Sequence, residues 1–168
     1  MKTFPQRLIF VLLPVLTISC TTNEENPLSS EQATFIPASK PIELEVLRLT
    51  NNYSVEKELS SLKQLSIIKV QTHEHTSYMI HQNSISLDNF YKRSKYLRKN
   101  TSTICIGENV AQGFSTAKSV VSAWINSKSL RKNIEGNFNY FDVPAEQNES
   151  KKWYFTNIFC RKETIKIS

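Results

Sequence analysis

The stretch from Gly107 to Gly136 constrains the fold most tightly. It joins a β-prone run, Thr103-Ile104-Cys105-Ile106, to Gly107-Glu108-Asn109-Val110-Ala111-Gln112-Gly113 and then to an apolar helix. Ala117, Val120, Val121, Trp124 and Ile125 fall at i, i+3, i+4, i+7 and i+8, one face of an α-helix. Ser115 or Thr116 supplies the hydroxyl expected of its N-cap. Such a stripe needs an apolar partner, and the neighbouring strand offers one. Glu108 is expected at the strand's end, beside a glycine-closed loop, with its carboxylate facing a cleft.

The same stretch carries a resemblance. Gly-Glu-Asn-Val-Ala-x-Gly, then Val120-Val121-x-x-Trp124-x-Asn126-Ser127, then Arg131-x-Asn133-Ile134 is similar to the bacterial branch of the CAP superfamily. That superfamily holds the cysteine-rich secretory, antigen 5 and pathogenesis-related-1 proteins, also called SCP/TAPS. The resemblance covers residues 42–162. It implies an α+β fold: a three-layer α/β/α sandwich around a small central antiparallel sheet.

Metal-binding CAP domains gather histidines and acidic residues in a central cleft. In the bacterial pattern one histidine comes eight residues after the helix methionine; counted from Met79, that position is Leu87. The second closes a Ser-x-x-His turn, which here reads Ser127-Lys128-Ser129-Leu130. Glu108 keeps the acidic position. Leucine has no lone pair and cannot ligate zinc. The resemblance therefore implies no metal and no cofactor, and a degenerate cleft lined by Glu108, Asn109, Leu87, Leu130, His75 and Ser127. A lone carboxylate facing two isobutyl groups should have its pKa raised.

Ahead of this domain, residues 1–19 read as a signal peptide. Lys2 and Arg7 form a positive region, and Leu8 to Ile18 is an apolar run interrupted by Pro14. That run is too short to span a bilayer, which needs about 20 residues. Ser19-Cys20 resembles a bacterial lipobox, in which Cys20 is acylated and holds the chain to the membrane; ordinary secretion with cleavage nearby is the alternative. Residues 20–41 are expected to form a flexible tether, rich in Asn, Glu and Ser, with Pro27, Pro37 and Pro41. Residues 163–168 are a short basic tail.

Within the domain, Ile42, Val46, Leu49 and Tyr53 predict a first helix that ends near Asn51-Asn52, with Pro41 at its start. Residues 54–65 read as a connector with helical character. Ile68, Thr72, His75 and Met79 set the inward face of a second helix over 66–82. His75 is either a cleft ligand or a hydrogen-bonded core histidine; His73 and His81 lie off that face. Arg93 either braces backbone and carboxylates or is an exposed base. Residues 99–103 read as a polar loop. Residues 138–143 form a strand, 144–152 a polar hairpin loop, and 153–160 a last strand. Both faces of that last strand are partly apolar, so it is expected at the sheet's centre.

Two thiols remain besides Cys20. Cys105 and Cys160 lie on strands that can neighbour each other, so a disulfide is open if their Cα atoms come within about 6 Å. The alternative is two small apolar residues.

Function is bounded mostly by exclusion. The chain carries a formal charge of +6, two of it from the leader. The charges read as interspersed, with no basic stripe interleaved with aromatics, so no nucleic acid partner is expected. There is no P-loop, GxSxG or HExxH. His73-Glu74-His75 is no metal pair, because i and i+2 point apart on a helix. The reading is an envelope protein, anchored by Cys20 (an outer-membrane lipoprotein), whose CAP-like domain binds a ligand, glycan, lipid or partner protein. The alternatives are a hydrolase of an envelope polymer acting through Glu108 and water, and a domain whose cleft is inert.

Overall fold

The computed structural model describes residues 36–162. The leader, Cys20 and most of the expected tether lie outside the described residues, as does the basic tail. Among the described residues, ten elements follow in order: α1 (Pro41–Glu56), β1 (Lys63–Gln64), α2 (Ser66–His81), α3 (Phe90–Thr101), β2 (Thr103–Gln112), α4 (Ala117–Asn126), α5 (Lys128–Ile134), β3 (Tyr140–Asp142), β4 (Ala145–Gln147) and β5 (Trp153–Lys162).

The sheet order is β1-β3-β5-β2, with β4 also on β5. Pairing is antiparallel except for the two-residue β1–β3 contact, which is parallel. β5 is therefore central, and every residue from Tyr154 to Cys160 is buried. β3 and β4 line up on the same flank of β5 but are split at Val143-Pro144. Proline has no N–H to donate, so the ladder stops there and resumes at Ala145. Part of the expected hairpin loop is thus strand.

One face of the sheet carries α1, α4 and α5. Val46, Leu47, Val120, Val121, Trp124, Ile134, Phe155 and Phe159 form its core. The other face carries α2 and α3, where Ile68 and Leu97 pack on Ile158 and Cys160. This is the expected three-layer α+β sandwich. Thr116 caps α4, its hydroxyl accepting from the Ser119 amide at 3.1 Å.

Three expectations need correcting. First, β2 does not end at Gly107. It pairs with β5 as far as Gln112, so Glu108 and Asn109 are mid-strand residues. Gly113, at φ +80°, ends the strand. Second, α3 occupies most of what read as a short apolar set and a polar loop, and residues 99–101 are helical. Its inward residues are Arg93, Ser94, Leu97 and Thr101, a helical spacing with only one aliphatic side chain to announce it. Third, α1 runs on to Glu56, and residues 57–62 are not helical. Its buried stripe is Glu43, Val46, Leu47, Thr50 and Ser54, while Leu44 is exposed. Ile42, Leu49 and Tyr53 flank that stripe, half-buried against the same core, while the stripe itself includes a buried ion pair at Glu43 and the hydroxyls of Thr50 and Ser54.

Candidate functional site

Strand alternation decides which site residues can meet. Along β2, Glu108 opposes Ile158 and faces the α2/α3 layer; Asn109 opposes Asn157 and faces α4/α5. The six residues expected to line one cleft are therefore split by the sheet. Glu108 and His75 are on one side; Asn109, Leu130 and Ser127 are on the other.

On the α4/α5 side the motif is structural. Asn133 donates to the Glu108 carbonyl at 3.0 Å and to Asn109 Oδ1 at 2.8 Å. Asn109 in turn donates to the Leu130 carbonyl at 3.0 Å. These bonds tie α5 to β2. Gly107 permits that approach: a Cβ there would lie 2.8 Å from Asn133 Oδ1. The Leu130 side chain is half-buried against the apolar core. Ser127 sits at the N-cap position just before α5, with its hydroxyl 3.2 Å from that of Ser129.

On the α2/α3 side, Glu108 is not a lone carboxylate. Arg93 grips both of its oxygens, Nε to Oε1 at 3.0 Å and Nη2 to Oε2 at 2.7 Å. Nη1 donates to the Asp88 carbonyl at 2.7 Å, which closes the 84–89 loop onto the pair. Burial pushes the Glu108 carboxyl up, and the hydrogen bonds and charge of Arg93 pull it back. Leu87 is 55% exposed and does not face Glu108. The segment carrying it folds outward while the Asp88 carbonyl turns in to Arg93.

His75 is buried, with Nε2 2.8 Å from the Ser86 carbonyl and its ring stacked on Tyr78. Burial pushes its imidazole down, against the pull of that carbonyl. It is a hydrogen-bonded core histidine at the edge of a cavity. This cavity, about 360 Å³, lies between α2 and α3 and is lined by Gln71, Glu74, His75, Tyr78, Lys92, Arg93 and others. Sequence reading found only His75 and Arg93 of this set. The amphipathic period of α3, which apolar counting passes over, would have pointed to Lys92 and Tyr96; Gln71, Glu74 and Tyr78 come from the flank of α2 beside His75.

A second cluster of buried charge sits where α1, α2 and β4 meet. Lys69 Nζ lies 2.7 Å from Glu43 Oε2, and both side chains are buried. Glu43 Oε1 accepts from the Ala145 amide at 2.9 Å. Asp142 is buried nearby, and burial pushes its carboxyl up to about 6. No motif in the sequence points to this group.

Cys105 and Cys160 are both free. Cys105 pairs with Arg161 while Cys160 pairs with Ile106, so the two thiols sit at consecutive register positions and leave the sheet on opposite faces. Cys105 is exposed and Cys160 is buried.

The donor set does not fit a divalent metal. Both oxygens of Glu108 are engaged by arginine, Leu87 is in solvent, and Leu130 is across the sheet. Among the described residues, no three His, Cys, Asp or Glu side chains are grouped to hold an ion.

No family model matches the chain, and no curated protein matches it. Solved structures do. An outer surface protein of Borrelia burgdorferi superposes with a TM-score of 0.63 at 16% identity, over 70% of this chain and 90% of that one. An extracellular protein of Bacillus anthracis containing an SCP domain gives 0.61 at 22% identity, over 75% of this chain and 45% of that one. A cysteine-rich secretory protein of Staphylococcus aureus gives 0.60 at 18% identity, over 71% of this chain and 38% of that one. This chain thus spans under half the length of the last two. The order of layers, the central β5 and these superpositions agree: the described residues share the fold of these SCP-domain and secreted proteins.

Proposed function

We propose that this is an exported binding domain, held at the bacterial envelope by an acylated Cys20, whose ligand site is the cavity between α2 and α3. The observation that carries the reading is the Arg93–Glu108 pair beneath that cavity. A general acid or base must exchange a proton with substrate. Here both oxygens of the one motif carboxylate are fixed by a guanidinium. The cavity above is lined by side chains that hydrogen-bond and stack, Gln71, Tyr78 and Tyr96 among them. That chemistry suits recognition rather than bond breaking. The outer surface and extracellular proteins with the same fold support export.

Calorimetry with a panel of oligosaccharides and short peptides tests this. Binding by the wild type that Gln71→Ala abolishes supports the cavity. Release of cleaved product from an envelope polymer, abolished by Glu108→Gln in a folded protein, would overturn the binding reading.

A further inference from the structure

The outer face of α3 carries a row of cations that the sequence reading passed over. Lys92, Lys95 and Lys99 are spaced i, i+3, i+7, which places them along one side of the helix. All three are exposed, and so are Tyr91 and Tyr96 beside them. Tyr91 is 75% exposed, the highest value of any large apolar side chain among the described residues. α3 contains no acidic residue. None of the three lysines pairs with a carboxylate among the described residues. The remaining bases on α3 are occupied: Arg93 by Glu108, and Arg98 by the Ile104 carbonyl at 2.6 Å. This is a basic stripe with aromatic interleaving, contrary to the expectation of interspersed charge.

The stripe is continuous with the cavity. Lys92 and Tyr96 belong to both, and Gln71, Glu74 and Asn89 line the part beyond them. From Lys92 to Lys99 the helix rises about 10 Å, at about 1.5 Å per residue. A ligand lying across both would meet a straight row of ammonium groups and then a polar recess. We propose that α3 docks a linear anionic polysaccharide, with its acidic groups on Lys92, Lys95 and Lys99 and one sugar unit in the cavity. The proposal rests on the cavity being the binding site, and it names the ligand class.

The chemistry favours a saccharide over other polyanions. Glu74 in the recess can accept from sugar hydroxyls, whereas the backbone of a DNA strand offers it none. Gln71 and Asn89 offer both donors and acceptors. Tyrosine rings cover the apolar faces of sugar rings while their hydroxyls stay solvated. A bilayer presents anionic groups to the lysines but has nothing that fills a polar recess.

The test uses the full-length protein and heparin as the probe, with neutral dextran as the blank. Lys95→Glu/Lys99→Glu changes the stripe outside the cavity. Lys118→Glu/Lys128→Glu makes the same change in net charge on exposed residues of α4 and α5. We expect the stripe variant to lose affinity by about tenfold or more at low salt, and its log–log salt slope to fall by about two, as counterion release from a polyanion requires. The control variant should bind nearly as the wild type. Equal loss in both variants would mean net charge alone and would overturn the proposal. So would tighter, stripe-dependent binding to phosphatidylglycerol vesicles or to single-stranded DNA than to heparin. If the stripe variant binds heparin unchanged while Gln71→Ala weakens oligosaccharide binding, the stripe inference fails and the cavity reading stands. If neither change matters, both fail.

Discussion

Arg93 and Glu108 form a two-pronged ion pair between α3 and β2, with Nε on one carboxylate oxygen and Nη2 on the other. Their side chains are 7% and 1% exposed. The same guanidinium holds the Asp88 carbonyl, so one side chain joins a helix, a strand and a loop. Removing one partner leaves the other as a buried charge without its counterion.

Removing Arg93 should strand a buried carboxylate. Arg93→Ala is expected to cost about 3–5 kcal/mol, the usual penalty for breaking a buried pair from one side. Adding Glu108→Gln to that variant should restore part of the loss, because an amide needs no counterion. Urea melts of the two variants check this. A double variant as unstable as the single one would show that packing, not charge, sets the cost.

Asp142 makes stability depend on pH. Burial lifts its carboxyl from 3.8 to about 6, so the folded state holds this proton more tightly than the unfolded chain does. Between those values the native protein binds more protons, and stability falls as pH rises; above about 6 the loss is complete. Asp142→Asn keeps an acceptor for the Val143 amide and removes the titration. Melts at pH 4 and pH 7.5 should show the variant gaining roughly 1–3 kcal/mol relative to wild type at the higher pH. A pH-independent difference would contradict this account.

The two domain thiols should react very differently. Cys105 is exposed; burial pushes the Cys160 thiol up to about 12, so it has neither access nor thiolate. Iodoacetamide treatment of the native protein, followed by peptide mass mapping, should label Cys105 and leave Cys160 free until denaturation. A Cys105–Cys160 crosslinked peptide would contradict the register of β2 on β5.

Trp124 is buried, meets Phe155 edge-on, and donates to the Val110 carbonyl at 3.3 Å. Trp124→Ala should cost about 3–5 kcal/mol, as for other large core aromatics. A loss below about 1 kcal/mol would mean that the α4 face has been misassigned.

Restoring histidine at the two leucine positions should not create a zinc site. Leu87 is in solvent and Leu130 lies across the sheet from Glu108. Zinc calorimetry on a folded Leu87→His/Leu130→His variant should resemble the wild type. New stoichiometric, tight binding would place those side chains together after all.

The sequence by itself determined the layers. The apolar period of α4, the two-faced apolar pattern of β5 and the motif that links them each report burial directly, because hydrophobic spacing depends only on local geometry. Ile68, Thr72, His75 and Met79 likewise marked the inner face of α2, and all four are buried. What the sequence could not supply was the face on which each motif residue lands. Glu108 and Asn109 are adjacent in the chain, yet strand alternation sends one to Arg93 and the other to Asn133. That outcome required knowing that β2 continues through Gly107, which the pairing with β5 decides. The buried charges were hidden for a similar reason. Glu43 and Lys69 carry no sign of burial in the sequence, Arg93 leaves two readings open there, and each partner is distant in the chain or on another element. Only tertiary contact turns a costly buried charge into a satisfied one, so only the folded structure could show which charges are buried and paired.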